Sequence, residues 1–309
     1  MTVLIRQSLL SPLLPMKQSF LLLTLSLLLA SCMQPDADVT GQGVQSGSRS
    51  SSSTSSVMSS ATGSVSGIDR LNSSPRHQEW VEVKNGDRTI YTWVVYPQTS
   101  GTASVVLLIH ENKGLNDWAR GMADQVAEAG YIAVAPDLLS GFSDVMRRTS
   151  DFPTDDAATE AISALDPAVV ISDLQAVADW SESIPAANGK LASAGFCWGG
   201  AQSFRLAANR GDLDAALVFY GTGPETASDY GNIRAPVYGF YGGNDQRVNA
   251  TIADSAERMS SAGKTYETVI YDGAGHAFMR LGEDPAGEAA NVSARKAAWQ
   301  RMNNILSAL

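Results

Sequence analysis

Downstream of residue 76 the apolar positions follow two different periods in turn. Continuous apolar runs are typical of strands buried in a parallel sheet, whereas apolar residues three and four positions apart mark one face of a helix. Asn85-Gly86 lies between two short segments and favours the tight turn of a β-hairpin. The pattern predicts a hairpin over 80–96, strands over 104–110, 131–135, 191–196, 215–220, 237–241 and 266–271, and helices over 116–129, 168–183, 199–209, 250–262 and from 287.

This alternation of strands and helices predicts the fold class. Strands that alternate with helices form a mostly parallel central sheet with helices on both faces. We therefore predict one α/β domain over residues 76–309, with the β-hairpin at its N-terminal end. In such sheets ligands bind at the carboxyl ends of the strands, so the candidate chemistry is expected there.

A separate apolar run, residues 20–31, follows Lys17 and ends at Cys32. The run is shorter than the roughly 20 apolar residues that a membrane span needs, and its layout is that of a secretory signal. The four residues that end at Cys32 resemble the bacterial lipobox, in which the cysteine becomes the lipidated first residue. We predict a signal peptide over 1–31, with Met16 a better start than the first methionine.

Residues 33–75 are rich in Ser, Gly and Thr and hold few large apolar side chains. Such a segment buries too little apolar surface to offset its ordering entropy, so we predict a flexible tether over 32–75. The sequence thus predicts an exported lipoprotein, anchored through Cys32 and facing the periplasm. Met33 follows the cysteine where an aspartate would retain the protein in the inner membrane, which favours the outer membrane.

The net charge and the cysteine content argue against several classes of partner and against a disulfide. The net charge of −10 argues against nucleic acid or anionic lipid as a partner. The chain holds two cysteines, Cys32 and Cys197; if the first carries lipid, the second has no intramolecular disulfide partner. The sequence has no His, Cys and carboxylate cluster at metal-ligand spacing, so no cofactor is expected.

Cys197 stands where a nucleophile would. It lies between a predicted strand and a predicted helix, and Gly195 and Gly199 flank it at the G-x-nucleophile-x-G spacing of a nucleophile elbow. Asp245 and His276 follow two later predicted strands, and the order nucleophile, acid, histidine is that of the α/β-hydrolase fold. An imidazole activates a thiol, and a carboxylate orients the imidazole. The alternatives are a buried structural cysteine and a packed loop histidine.

The chain has three histidines. His77 lies at the edge of the predicted tether. His110 ends a predicted strand but has no second acid in matching order, so His276 is the candidate base.

Four motifs together resemble the dienelactone hydrolase (carboxymethylenebutenolidase) family, a cysteine branch of the α/β-hydrolase superfamily. The resemblance covers residues 78–309 and implies the α/β-hydrolase fold with no cofactor. The motifs are Gly195-Phe196-Cys197-Trp198-Gly199-Gly200, Gly243-Asn244-Asp245, Gly275-His276-Ala277-Phe278 and Ile109-His110-Glu111-Asn112-Lys113-Gly114.

The resemblance implies roles for particular residues. Cys197 would be the nucleophile, His276 the base and acid, and Asp245 the orienting carboxylate. Glu111 would lie close to the resting thiol and help to form the thiolate, the alternative being an exposed loop glutamate. The backbone N–H groups of two residues would hold the oxyanion, namely Asn112 and Trp198.

Arg280, four residues after His276, would bind a substrate carboxylate, a task that suits a guanidinium fork; the alternative is a solvated arginine. The resemblance implies a second such arginine, for which Arg147 and Arg148 are candidates. The segment 140–167 matches the family poorly and is expected to form a lengthened or divergent cap.

We therefore expect a tethered hydrolase that forms an acyl-thiol intermediate on a small ester or lactone, a class that includes carboxylate-bearing substrates. The sequence leaves the oligomeric state open and favours a monomer. Dienelactone itself is expected to be a poor substrate. The alternatives are acyl transfer or amide cleavage, a non-catalytic binding lipoprotein, and a redox sensor built on the lone thiol. Trp198 and Phe278 either line the pocket or pack.

Overall fold

A computed structural model describes residues 66–309, so the predicted signal peptide, Cys32 and the tether up to residue 65 lie outside the described residues. The described part contains one eight-stranded sheet of order β1-β2-β4-β3-β5-β6-β7-β8. Strands β3 to β8 are parallel, and the hairpin of β1 and β2 joins them antiparallel through β4. The strands are β1 Gln78–Asn85, β2 Arg88–Val95, β3 Ala103–Ile109, β4 Ile132–Pro136, β5 Ala187–Phe196, β6 Ala215–Phe219, β7 Val237–Gly242 and β8 Tyr266–Tyr271.

Helices cover both faces of the sheet, which confirms the predicted α/β architecture. The helices are α1 Gly67–Ser73, α2 Asp117–Glu128, α3 Asp155–Ser163, α4 Pro167–Glu182, α5 Trp198–Asn209, α6 Asp229–Asn232, α7 Gln246–Asn249, α8 Ile252–Ser261, α9 Phe278–Leu281 and α10 Ala289–Leu306, with one 3-10 turn at Thr149–Asp151.

The continuous apolar run of β3 divides between two cores. Val106 and Leu108 pack with α2 and α10 on one face, whereas Leu107 and Ile109 pack with α4, α5 and α8 on the other. All seven residues of β3 are buried, because successive side chains point to opposite faces of the sheet and helices cover both faces. This explains why a strand covered on both faces carries no alternating pattern.

The structure corrects the predicted domain boundary at residue 76. Residues 67–73 form helix α1, which packs on α2. Arg70 and Arg76 both pair with the buried carboxylate of Asp124, at 2.9 and 2.7 Å. A buried carboxylate is stable only when it is paired, so the folded domain includes at least α1. Helix α1 has seven residues and few large apolar side chains, so the sequence pattern did not predict it.

The segment 140–167 is folded and tied to the sheet. Asp137, directly after β4, accepts hydrogen bonds from the backbone N–H and the hydroxyl of Thr149, at 2.7 and 2.8 Å. Burial raises the pKa of Asp137 to about 6, although these hydrogen bonds oppose the rise. Buried residues of α3 pack against Trp198, the residue after Cys197. The segment therefore packs against the nucleophile elbow.

No single helix within residues 66–309 combines the length and apolar composition that a membrane span requires. Helices α3 and α4 meet these criteria only when they are taken together, across a bend of 101°.

Candidate active site

Five parallel strands end at one edge of the sheet, and a residue after each of them contributes to one site. Cys197 follows β5, Asp245 follows β7, and His276 follows β8 by a short loop. Glu111 lies after β3, and Tyr220 directly follows β6. The chemistry therefore lies at the carboxyl ends of the strands, where open α/β sheets bind their ligands.

The backbone at Cys197 is that of a sharp strand-to-helix turn, with φ 57° and ψ −116°. A Cβ on Gly195 would lie 1.9 Å from the carbonyl oxygen of Gly199. A Cβ on Gly199 would lie 2.3 Å from the carbonyl oxygen of His110. Both positions thus require glycine, as the elbow spacing predicts.

Positive φ angles gather at this site. Among residues 66–309, the residues other than glycine with positive φ are Cys197 at 57°, Tyr220 at 40° and Ala277 at 61°. Each such conformation costs about 1–3 kcal/mol and persists only where the surrounding structure enforces it. The positive φ angles thus lie at Cys197, at the residue after His276 and at Tyr220, whose ring packs against His276.

The three predicted catalytic side chains form one hydrogen-bonded line. His276 Nε2 lies 3.0 Å from Cys197 Sγ, and His276 Nδ1 lies 2.5 Å from Asp245 Oδ2. Asp245 is almost fully buried, whereas His276 and Cys197 are partly exposed. This geometry allows the imidazole to exchange a proton with the thiol while the carboxylate fixes its orientation.

The loops that carry Asp245 and His276 are bonded to each other. The backbone N–H of Asn244 donates to the carbonyl oxygen of Ala274 at 2.9 Å. The side-chain amide of Asn244 donates to the carbonyl oxygen of Gly273, also at 2.9 Å. These bonds set the separation of the acid and the histidine.

His276 is protonated at neutral pH in this setting. Burial alone would lower the pKa of His276, but the hydrogen bonds to Cys197 and Asp245 outweigh it and raise the pKa to about 9. An imidazolium beside a sulfur favours the thiolate, the nucleophilic form of cysteine.

Glu111 is buried, with 4% of its surface exposed, so it is not an exposed loop glutamate. Its carboxylate accepts from Arg280 Nε at 2.9 Å and from the Tyr220 hydroxyl at 3.2 Å. Within residues 66–309 no hydrogen bond joins Glu111 to Cys197, whose sulfur is bonded to His276. The resemblance implied that Arg280 binds a substrate carboxylate; in this structure Arg280 pairs with Glu111, and the binding role stays a prediction.

Tyr220 is a site residue that the sequence analysis missed. It is buried, and its ring lies edge-on to His276 at 5.1 Å between centroids. Burial and the nearby Glu111 carboxylate raise its pKa well above the ordinary value, so the hydroxyl stays protonated and donates to Glu111. The predicted strand over 215–220 included Tyr220. Only its position at the end of that strand indicated that it could belong to the site.

The two predicted oxyanion donors, Asn112 and Trp198, both line the cavity beside the thiol. Trp198 is the first residue of α5, where a helix leaves its N–H without an intrahelical acceptor. The N–H of Asn112 also has no acceptor within residues 66–309. Their role as oxyanion donors stays a prediction.

His110 supports this arrangement without contacting the thiol. Its Nδ1 donates to the carbonyl oxygen of Glu111 at 2.7 Å, its Nε2 accepts from the Leu138 backbone N–H at 3.3 Å, and its ring stacks on Trp198. Burial lowers the pKa of His110 to about 4. Trp198 therefore both packs and lines the cavity. Phe278 is fully buried against Tyr220 and packs only.

The cavity at Cys197 has a volume of about 280 Å³. Neither Arg147 nor Arg148 lines it: Arg147 donates to the Tyr91 hydroxyl, and Arg148 lines a separate cavity of about 680 Å³ that includes none of Cys197, Asp245 and His276. Arg247 lines the Cys197 cavity instead. No motif marked Arg247 in the sequence, although it lies two residues after Asp245. The lining residues are Asn112, Cys197, Trp198, Ala201, Tyr220, Gly221, Thr222, Arg247 and Val248.

Comparison with known proteins agrees with the fold and identifies the family. The family model for the dienelactone hydrolase family matches residues 90–309. A carboxymethylenebutenolidase homologue of Methylorubrum extorquens is 31% identical over 209 residues, which cover 64% of this chain and 71% of that protein. The carboxymethylenebutenolidase of Pseudomonas putida is 28% identical over 207 residues, which cover 65% of this chain and 86% of that protein.

Solved structures show the same architecture. The dienelactone hydrolase-like promiscuous phosphotriesterase P91 from metagenomic libraries superposes with a TM-score of 0.62 at 25% identity, covering 76% of this chain and 98% of that one. The dienelactone hydrolase of Anabaena variabilis superposes with a TM-score of 0.56 at 22% identity, covering 74% of this chain and 97% of that one. The chain therefore belongs to the dienelactone hydrolase family and is a carboxylic ester or lactone hydrolase.

Proposed function

We propose that the protein cleaves a small carboxylic ester or lactone through a covalent acyl-thiol intermediate on Cys197. The proposal depends on two consecutive hydrogen bonds. His276 Nε2 lies 3.0 Å from Cys197 Sγ, and His276 Nδ1 lies 2.5 Å from Asp245 Oδ2. A nucleophile, a base within reach of it and a carboxylate that orients the base are the parts that covalent acyl transfer needs.

In the first half of the reaction the thiolate of Cys197 attacks the carbonyl carbon and forms a C–S bond. The carbonyl oxygen becomes an oxyanion, which accepts hydrogen bonds from the backbone N–H groups of Asn112 and Trp198. When the tetrahedral intermediate collapses, the C–O bond breaks and His276 Nε2 donates its proton to the leaving oxygen. The products of this half are an alcohol, or the opened lactone, and a thioester.

In the second half His276 is neutral and takes a proton from water at Nε2. The resulting hydroxide attacks the thioester carbonyl, and the same two N–H groups hold the oxyanion. The C–S bond then breaks, the carboxylic acid leaves, and the thiolate and imidazolium are restored. Asp245 keeps Nδ1 protonated throughout, so that Nε2 is always the nitrogen that exchanges protons.

We assign Glu111 a positioning role in the resting enzyme. Its carboxylate bonds both Arg280 and the Tyr220 hydroxyl, and Tyr220 packs against His276. Direct help in forming the thiolate stays a prediction, because the carboxylate would first have to leave Arg280.

The experiment that tests the proposed function compares the wild type with Cys197→Ala in the hydrolysis of p-nitrophenyl acetate and of a dienelactone. We expect the variant to lose the activity against every ester that the wild type cleaves. Full activity in Cys197→Ala would show that the nucleophile is elsewhere. A wild type that cleaves no ester and whose Cys197 is not alkylated faster than a free thiol would favour a binding role.

For the N-terminal region we propose export and lipid attachment at Cys32. The support is the sequence alone, namely Lys17, the apolar run 20–31 and the lipobox-like residues that end at Cys32. Incorporation of radiolabelled palmitate that is lost in Cys32→Ser would support this proposal. Absence of label in both chains would overturn it without affecting the proposed chemistry.

A further inference from the structure

Strands β1 and β8 are the two edges of the sheet, and their sequences differ. Strand β1 carries Glu79, Glu82 and Lys84, and charged side chains, lysine above all, protect an edge from pairing with another strand. Strand β8 carries one charged residue, Glu267, and its Ile270 is 53% exposed. The β8 edge therefore has less of this protection than the β1 edge.

The pairing of β8 with β7 shows which backbone groups of β8 face away from the sheet. The carbonyl oxygens of Thr265 and Tyr271 accept hydrogen bonds from backbone N–H groups at the two ends of β7. Because the backbone groups of successive residues in a strand point to opposite sides, the residues at even positions face outward. These are Tyr266, Thr268 and Ile270, and within residues 66–309 their outward N–H and C=O groups have no hydrogen-bond partner.

A second copy of the same edge would satisfy all of these groups. A two-fold axis perpendicular to the sheet sets two β8 strands side by side and antiparallel. In an antiparallel pair, two facing residues exchange both of their hydrogen bonds. With the axis at Thr268, this residue faces itself, and Tyr266 of each copy faces Ile270 of the other. A register centred elsewhere would leave at least one of the three residues unpaired.

The charges that flank β8 favour the same register. Lys264 lies two residues before Tyr266, and Asp272 lies two residues after Ile270. The axis at Thr268 therefore places Lys264 of each copy opposite Asp272 of the other. Neither side chain makes an ion pair within residues 66–309, so both are available to a second copy. Opposite charges in facing positions stabilise a strand pair.

The remaining side chains of β8 also fit this register. Glu267 of one copy faces Val269 of the other, so the two carboxylates do not oppose each other, which would be unfavourable. Ile270 lies beside Tyr266 of the other copy, and a pair of a β-branched and an aromatic side chain is favourable between strands. The exposed surface of Ile270 is then covered.

We propose that the protein forms a two-fold dimer through antiparallel pairing of β8 with β8 of a second copy, centred on Thr268. The pairing joins two eight-stranded sheets into one continuous sheet. The sequence favoured a monomer, and this inference replaces that expectation. It does not depend on the proposed acyl-thiol chemistry, since the contacts are backbone hydrogen bonds and side chains of the sheet edge.

The first test is disulfide cross-linking in the full chain after its own cysteines are replaced by Cys32→Ser and Cys197→Ser. Thr268→Cys places a thiol at the axis, where facing Cα atoms about 5.5 Å apart lie within the roughly 4.4–6.8 Å that a disulfide spans. Ile270→Cys is the matched control, because this exposed residue of the same edge faces Tyr266 and not itself. We expect mild oxidation to give a covalent dimer with Thr268→Cys and little with Ile270→Cys.

The second test measures the Kd of the dimer by sedimentation velocity, using the full chain with Cys32→Ser in a mild detergent. Lys264→Glu replaces two ion pairs with two like-charged pairs, so Kd should rise about two- to thirtyfold. The double variant Lys264→Glu with Asp272→Lys exchanges the charges and should restore most of the affinity. Lys84→Glu, on the β1 edge, is the control and should leave Kd unchanged. Circular dichroism checks that each variant is folded.

Three results would overturn the inference. The first is equal cross-linking of Thr268→Cys and Ile270→Cys, because it would exclude the register. The second is a chain that sediments as a monomer at every concentration and that Thr268→Cys does not cross-link. The third is an equal rise of Kd in Lys264→Glu and Lys84→Glu, which would place the interface away from β8.

Discussion

His110 and His276 lie at the same carboxyl edge of the sheet, one after β3 and the other in the loop after β8, yet they hold different charges. His110 is fully buried and bonds only backbone groups, and its pKa falls to about 4. His276 is half-buried between a thiol and a carboxylate, and its pKa rises to about 9. Burial dominates at His110, whereas the thiol and the carboxylate outweigh burial at His276, so the balance between burial and bonded partners decides which histidine holds a proton.

The two histidines also contact different residues of the same elbow. His276 bonds the sulfur of Cys197, whereas His110 stacks on Trp198 and its carbonyl oxygen lies beside Gly199. We infer that one is chemical and the other structural. The predictions below separate these two roles.

The largest effect is expected for His276→Gln. Without the base and acid, kcat/KM for p-nitrophenyl acetate should fall about 10²–10⁴-fold, the usual contribution of general acid–base catalysis, while circular dichroism shows a native fold. The measurement is steady-state hydrolysis at constant pH. A loss of less than about tenfold would mean that another group transfers the proton, and the contrast with His110 would fail.

Gly199→Ala tests the contact between the elbow and the His110 loop. The new Cβ would lie 2.3 and 2.4 Å from the carbonyl oxygens of His110 and Ile109, and backbone cannot move aside cheaply. We expect the free energy of unfolding in urea to fall by about 1–3 kcal/mol, together with a loss of activity. Gly231→Ala is the control, because a Cβ there meets nothing within 4 Å. Equal stability of the two variants would contradict the close packing described here.

His110→Leu should lower stability with a smaller effect on chemistry. The change leaves the buried N–H of Leu138 without its acceptor, and an unsatisfied buried donor costs about 1–3 kcal/mol. Urea denaturation measures this difference. His77→Leu serves as the control, since that side chain is 67% exposed and should change stability by less than about 0.5 kcal/mol. Loss of activity in His110→Leu with unchanged stability would give His110 a chemical role.

Measured per pH unit, the smallest effect is a difference in pH dependence, with a slope of at most about 1.4 kcal/mol per pH unit. The folded pKa of His110 lies below its unfolded value, so its contribution is lost as the pH falls from about 6.5 toward 4. The folded pKa of His276 lies above its unfolded value, so its contribution is present below about 6.5 and is lost as the pH rises through about 9.

The measurement is the free energy of unfolding of the wild type minus that of each variant, His110→Leu and His276→Gln, as a function of pH. The first difference should shrink toward acid and the second toward alkali. Two differences that shrink in the same direction would show that the charge assignment of one histidine is wrong.

Much of the site could be predicted because its parts are local. A nucleophile elbow needs two small residues at fixed offsets, Gly195 and Gly199, and the strand ends bring Asp245 and His276 to the same edge of the sheet. The nucleophile, acid and histidine therefore left motifs that a sequence can show. The same holds for β3, whose unbroken apolar run reflects burial on both faces.

The rest depended on tertiary pairing that no spacing records. Glu111 and Arg280 are 169 residues apart and meet only in the fold. Tyr220 has a positive φ that no sequence pattern marks. Arg247 is an exposed arginine, and no periodic pattern surrounds it. Helix α1 escaped notice because its stability comes from Asp124 in another helix.

The most direct test of the central claim is to stop the reaction with p-nitrophenyl acetate by acid during the first turnovers and to map the protein by peptide mass spectrometry. The account predicts one acetyl group on the peptide that contains Cys197, appearing with the first release of p-nitrophenolate. Acetylation of a different residue, or continued hydrolysis with no label on Cys197 at any quench time and an undiminished rate in Cys197→Ala, would contradict it.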